Sequence, residues 1–135
     1  MKTKINNLGN QLEDILNDYV DDISDITKEE IDTTTRNTKK VIKSHAPESK
    51  GKRKGTYKKS IKSQTVSENL SSKVNVIFVK KPEYRLPHLL ENGHALVKGG
   101  RTRAIPHWKY GQEYAEKELP ERIKKRIGGL NNGRK

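Results

Sequence analysis

The chain contains no cysteine, only one tryptophan, one phenylalanine and one methionine, and no aspartate after Asp32. Without cysteine there can be no disulfide, no thiolate metal site and no cysteine nucleophile. With glutamate as the sole acid from residue 33 onward, the paired aspartates of a metal-dependent nuclease have no source there. No run of about 18 apolar residues occurs, nor the shorter apolar core of a secretory leader, so neither a membrane span nor secretion is expected and cytosolic synthesis fits. The P-loop, GxSxG, GxGxxG and helix-turn-helix patterns are all missing. Apolar material is scarce as well: 30% of the 135 residues are hydrophobic and 34% are charged. A domain of this length already buries a modest share of its surface. A thin core is expected, with stabilisation from neighbouring subunits.

What the chain has in quantity is charge, unevenly placed. The net charge is +12. Residues 1–32 carry three lysines against nine acids, whereas residues 33–64 carry eleven basic residues against Glu48 alone. Residues 65–135 add fifteen basic residues against seven glutamates. An acidic first quarter followed by a basic remainder suits nucleic-acid binding. It equally suits head-to-tail packing, with one subunit's acidic face on the next subunit's basic face.

Periodicity divides the single domain. Ile5, Leu8, Leu12, Ile15, Tyr19, Ile23 and Ile26 recur at helical spacing, with acids on the other faces. This predicts one long helix over 1–46, from about Lys4 to Ser44, with Ile26–Thr27 as the place for a kink. The apolar stripe reads first as a core-facing surface and second as a seam for a partner helix. Pro47 stops the helix by disfavouring helical geometry at Ala46. Residues 47–56 form a basic, flexible loop with Lys50, Lys52, Arg53 and Lys54 as candidate contacts for a partner or for DNA. The α+β body spans 57–128. "TYKKSIKSQTV" alternates loosely and "KVNVIFVKK" is short and β-branched, which predicts a hairpin with the second strand central and the first at the edge. A short helix follows at about Pro87–Glu91, then "ALVKGG" as a candidate short strand. A last helix begins near Pro106, is interrupted or kinked at Pro120, and leaves 129–135 as a loose tail. The fold class is α+β: a long N-terminal helix, a small antiparallel sheet built on a hairpin, and a short and a C-terminal helix packed on it.

Tyr84–Trp108 gathers three of the four histidines and the tryptophan. His88, Glu91, His94 and His107 could be drawn as metal ligands, with His88 and Glu91 at i and i+3. Their spacing matches no compact zinc pattern, so no metal, cofactor or catalytic residue is assigned. The structural reading uses the same residues differently. Leu89 and Leu90 belong to the core, His88 and His94 flank the turn at Gly93, Glu91 accepts hydrogen bonds from a turn or pairs with an arginine, and Pro106, His107 and Trp108 start the last helix. Lys98, Arg101 and Arg103 fall on the intervening loop, which is left projecting as a candidate contact with a neighbour.

The order of these motifs resembles a known family. "APESKGKRKGTYKKSI" is similar to an "AP…TG-x-hydrophobic-x-x-SI" entry to a first strand, with Lys54 in place of the usual threonine. "YRLPHLLENGHALVKGGRTRAIPHWKYGQEYAEKEL" resembles a "Y-x-x-x-HLLE-x-GHA…GG-x-x-x-x-x-PH-x-x-x-A" block, with "KYGQEY" where small and apolar residues are usual. Both belong to the tail-completion, or head–tail joining, proteins of the neck of long-tailed bacteriophages, often labelled minor tail components. The likeness runs from about Ala46 to Leu119. It implies a non-enzymatic virion component made in the host cytoplasm: a ring, expected to hold six copies, between a connector or stopper protein and a tail terminator or tube. Genomic DNA would pass through its channel, and no membrane is involved. A basic nucleic-acid-binding protein is the alternative.

Overall fold

The computed structural model describes residues 2–48, 55–81, 83 and 86–133. It is α+β, as the periodicity predicts. Helix α1 (Lys2–His45) leads into a short helix α2 (Thr56–Ser60), a hairpin of β1 (Ile61–Glu68) and β2 (Lys73–Val79), a short helix α3 (Leu86–Asn92) and the long helix α4 (Trp108–Gly133). Loop residues 50–54 and Tyr84 lie outside the described residues.

Helix α1 is continuous over 44 residues, about 66 Å at 1.5 Å per residue. It ends one residue beyond Ser44, where the Ser44 hydroxyl donates to the Val41 carbonyl at 2.7 Å and Pro47 forbids another turn. Thr27 and Thr35 donate to the carbonyls of Ile23 and Ile31, at 2.7 and 2.6 Å, so their hydroxyls are satisfied within the helix.

The sheet has two strands, paired antiparallel with Ile61 opposite Val79 and Glu68 opposite Lys73, and a register shift between Thr65 and Ser67. Neither strand is therefore central, contrary to expectation. Tyr57 is not in the first strand either. Gly55 at φ 75° and the Lys59 N–H to Gly55 carbonyl bond (3.1 Å) open a helical turn instead. That turn buries Tyr57 and delays the strand to Ile61. The hairpin turn is held by Asn69, whose Oδ1 accepts from the Ser71 and Ser72 amides at 3.0 and 2.9 Å.

One face of the hairpin packs on α1. Lys73 and Asn75 reach Asp32 at 2.8 and 2.9 Å, Asn75 also donates to Thr35, and Lys39 donates to Ser63. Helix α4 lies on α1 with its start at Ile42 and its end at Glu29 and Glu30, so the two run antiparallel. At the far end Arg122 bonds Glu30 and Arg126 bonds Glu29, both at 2.7 Å. At the near end Gly111 lies against α1, where an added Cβ would overlap the Ile42 side chain.

The core is small: Ile42, Ala46, Tyr57, Ile61 and Val79 are buried, with Ile77, Leu86, Leu90 and Trp108 packed around them. Leu89, expected in it, is 40% exposed, because a seven-residue helix lying on the surface turns only one side inward. Helix α4 passes through Pro120 unbroken. Pro120 is exposed, so the carbonyl deprived of its helical partner faces solvent. The helix continues to Gly133, so 129–133 is helical rather than a loose tail.

Candidate functional site

The residues of the His–Glu stretch assemble around the start of α4. An α-helix begins with several N–H groups that have no partner inside the helix. Glu91, at the end of α3, supplies the acceptors. Its Oε1 takes the His107 and Trp108 amides at 2.9 and 3.0 Å, and its Oε2 takes the Lys109 amide at 3.0 Å. The negative carboxylate also lies at the positive end of the α4 dipole. Burial works to raise the Glu91 carboxyl, but the three amide bonds outweigh it and hold the group below its ordinary range. A cap separated by sixteen residues from the helix it closes fixes α3 against α4. The Ile105 amide to Leu90 carbonyl bond at 2.7 Å fastens the same junction.

Beneath the cap lies a chain of polar aromatics. Trp108 Nε1 donates to the Tyr57 hydroxyl at 3.2 Å. The hydroxyl donates to His107 Nε2 at 2.6 Å, and His107 Nδ1 donates to the Ile105 carbonyl at 2.8 Å. A tryptophan N–H can only donate and a carbonyl can only accept, which places a proton on His107 Nδ1; in the neutral ring Nε2 is then left to accept from the Tyr57 hydroxyl. His107 Nδ1 is also 3.2 Å from Glu91. His107 has no exposed surface and Tyr57 only 2%. Burial raises the Tyr57 phenol, with the Trp108 bond opposing and the Glu91 charge assisting. These groups are fully engaged with one another, and no substrate could reach His107.

The other candidates disperse. His88 is exposed on α3. His94 is half-buried and belongs to a separate unit, where Thr102 Oγ1 accepts from the His94 amide at 2.9 Å and lies 3.1 Å from its ring. Gly93 is required between them: it sits at φ 71°, and a Cβ there would collide with the Thr102 carbonyl. Pro106 is exposed just before α4. Among the described residues no three potential metal ligands gather.

Ala95 and Arg101 form an isolated bridge rather than the short strand considered for "ALVKGG". Gly99 and Gly100, at φ 96° and 79°, turn the segment between them. Its tip is exposed throughout, with Val97 wholly in solvent. Lys98, Arg101 and Arg103 all lie on this exposed loop, and Arg101 reaches back to the Gly93 carbonyl at 3.4 Å. Lys50, Lys52, Arg53 and Lys54 lie outside the described residues.

Tyr57 was not among the candidates read from sequence, nor were the Glu30–Arg122 and Asp32–Lys73 pairs. Their partners stand 41 to 92 residues away. The available signal was that a buried histidine and tryptophan both need polar partners, and Tyr57 is the tyrosine that opens the body.

Comparison with protein-family models, curated proteins and solved structures gives no match. No described helix is long and apolar enough to cross a membrane.

Proposed function

We propose that the protein is a structural component of a bacteriophage neck, which completes the tail or the connector and joins a DNA-filled head to a tail. The motif resemblance over Ala46–Leu119 is the source of this reading. The observation that carries it is how the most specific block of that resemblance is spent. Glu91, His107 and Trp108 are consumed in capping α4 and in bonding Tyr57, a scaffolding use. The surfaces left to the outside are contact surfaces: the loop with Lys98, Arg101 and Arg103, and the first half of α1, where Leu8, Leu12, Ile15, Leu16 and Val20 are 53–62% exposed. A subunit with a small core and two such surfaces is suited to a ring, in which each neighbour covers what its fellow leaves bare.

The test is complementation in an extract. Purified protein, added to a lysate of the phage lacking this gene, should raise infectious particles by orders of magnitude. No rise above buffer would overturn the joining role.

A further inference from the structure

The composition of β2 is that of a central strand, yet β2 stands at an edge of its sheet. Residues 74–79 carry apolar side chains on both faces, Val74, Val76 and Phe78 on one and Ile77 and Val79 on the other, with neither charge nor proline. Natural edge strands are guarded by charges, prolines or bulges. Strand β1 has such guards in Lys62, Glu68 and the register shift between Thr65 and Ser67. Residues 74–79 have none. The direction of their backbone groups follows from one bond, the Lys80 amide donating to the Ser60 carbonyl at 2.8 Å. Antiparallel alternation then turns the backbone of Val74, Val76 and Phe78 toward β1, and the N–H and C=O of Asn75 and Ile77 toward the open edge. Among the described residues no strand pairs with that edge.

The open edge borders a cleft. Packed helices stand about 8–10 Å apart and paired strands about 4.8 Å, so a two-stranded hairpin roofs one helix and not two. This hairpin lies on α1 and leaves the flank of α4 open beside it. The space between, about 490 Å³, is walled by Asn75 and Ile77 of β2 and by Gln112 and Leu119 of α4, over Thr34 and Thr38 of α1. Thr34 and Thr38 are 3% and 6% exposed, and neither hydroxyl has a hydrogen-bond partner among the described residues. Their neighbour Thr35, by contrast, donates to the Ile31 carbonyl. A buried hydroxyl left unpaired is costly. Among the described residues Lys73 is the one charged side chain lining the cleft, and Asp32 and Glu68 neutralise it at 2.8 and 3.6 Å.

We infer that an extended, uncharged segment of a partner protein pairs with the open edge of β2 and fills the cleft between β2 and α4, over Thr34 and Thr38. Strand addition supplies what each wall lacks: backbone bonds for Asn75 and Ile77, cover for α4, and partners for the two hydroxyls. The neutral interior excludes phosphate and nucleic acid, and demands a segment without charge over its buried length. Alternation sets its pattern. Small hydroxyl or amide side chains face inward over the threonines, and β-branched ones face outward beside Val74 and Val76, which are 48% and 38% exposed. The hairpin of a second copy does not fit, because its strands would bring their own α1 to the place that α4 holds. The occupant is therefore a single extended stretch, a tail or loop of another protein. This contact goes beyond the joining role and does not rest on it.

The test uses a displayed library of random peptides, selected on the full-length protein, and the recovered peptides made synthetically as probes. The expected sequences are uncharged and alternate small polar with β-branched residues. Their addition should slow hydrogen exchange of the Asn75 and Ile77 amides about ten-fold or more. N-methylation of alternate peptide amides, which leaves this protein untouched, should abolish binding. Ala115→Trp fills the cleft from α4 without touching the hairpin and should weaken binding about ten-fold, with unchanged circular dichroism showing that the variant is folded. Thr34→Val with Thr38→Val should weaken binding as well while leaving the free protein at least as stable, because these hydroxyls have no partner to lose. The inference is overturned if no peptide is recovered, if N-methylated peptides bind as well as their parents, or if bound peptides leave the Asn75 and Ile77 amides exchanging as before. Slowing that grows with protein concentration in the absence of peptide would assign the edge to a second copy, and also overturns it. Complementation reads the joining role separately, and either result can stand without the other.

Discussion

Glu91 shows how much a single side chain can hold. Its two oxygens take three amides at the start of α4. Glu91→Ala should therefore cost about 1–3 kcal/mol, read as a lower midpoint in urea. The same bonds set a pH dependence. The carboxyl sits below its ordinary value of 4.5, as does Glu30, chiefly through the Arg122 bond, and Asp32 sits below its own ordinary 3.8, chiefly through the Lys73 bond. A carboxyl depressed in the folded state stabilises above its unfolded value, and that contribution is lost as pH falls through the folded one. Melting temperature should thus decline from about pH 4.5 downward, and Glu91→Gln should flatten part of that decline. Tyr57→Phe tests the buried chain. It removes the acceptor of Trp108 Nε1 and the donor to His107 Nε2, and should destabilise by about 1–3 kcal/mol although only one oxygen is lost. An unchanged stability would contradict the network. Of these roles, the sequence made Glu91 and His107 visible as structural groups near a helix start, whereas His88 and His94, grouped with them, lie apart. It did not reveal Tyr57, since the contact joins residues fifty positions apart.

The helices and strands divide by whether local or distant forces decide them. Helix α1 was legible almost to the residue, because an apolar period and Pro47 both act locally. Its burial was not legible: the same stripe is core around Ile26 and exposed at Leu8 and Leu12, and only the extent of the body decides where one ends. The turn of helix at Tyr57 was missed because five residues carry too little period to distinguish it from a strand. Helix α4 survives Pro120 because that position faces solvent. Its contact with α1 depends on Gly111, inside the "KYGQEY" segment. In an ordinary exposed helix, glycine to alanine gains about 1 kcal/mol. Gly111→Ala should reverse that sign, since its methyl group would overlap Ile42 and overpacking costs about 1–3 kcal/mol. A rise in melting temperature for Gly111→Ala would show that α4 has room to move away.

At the scale of the whole molecule, the proposed ring rests on charge and core size. Of the α1 acids, Glu29, Glu30 and Asp32 are paired within the chain, with Arg126, Arg122 and Lys73. In such a ring a thin core would leave each copy limited stability of its own, and covering surfaces would raise it by mass action. The competing account, a basic nucleic-acid-binding protein, makes a different demand: affinity for DNA of any sequence should fall by roughly 10³ or more between 50 and 200 mM salt if six phosphates are engaged. A joining protein needs no such affinity. The most direct measurement is electron microscopy of lysates from a phage lacking this gene. The account predicts DNA-filled heads and full-length tails lying separate, with few joined particles. Normally joined particles would contradict it.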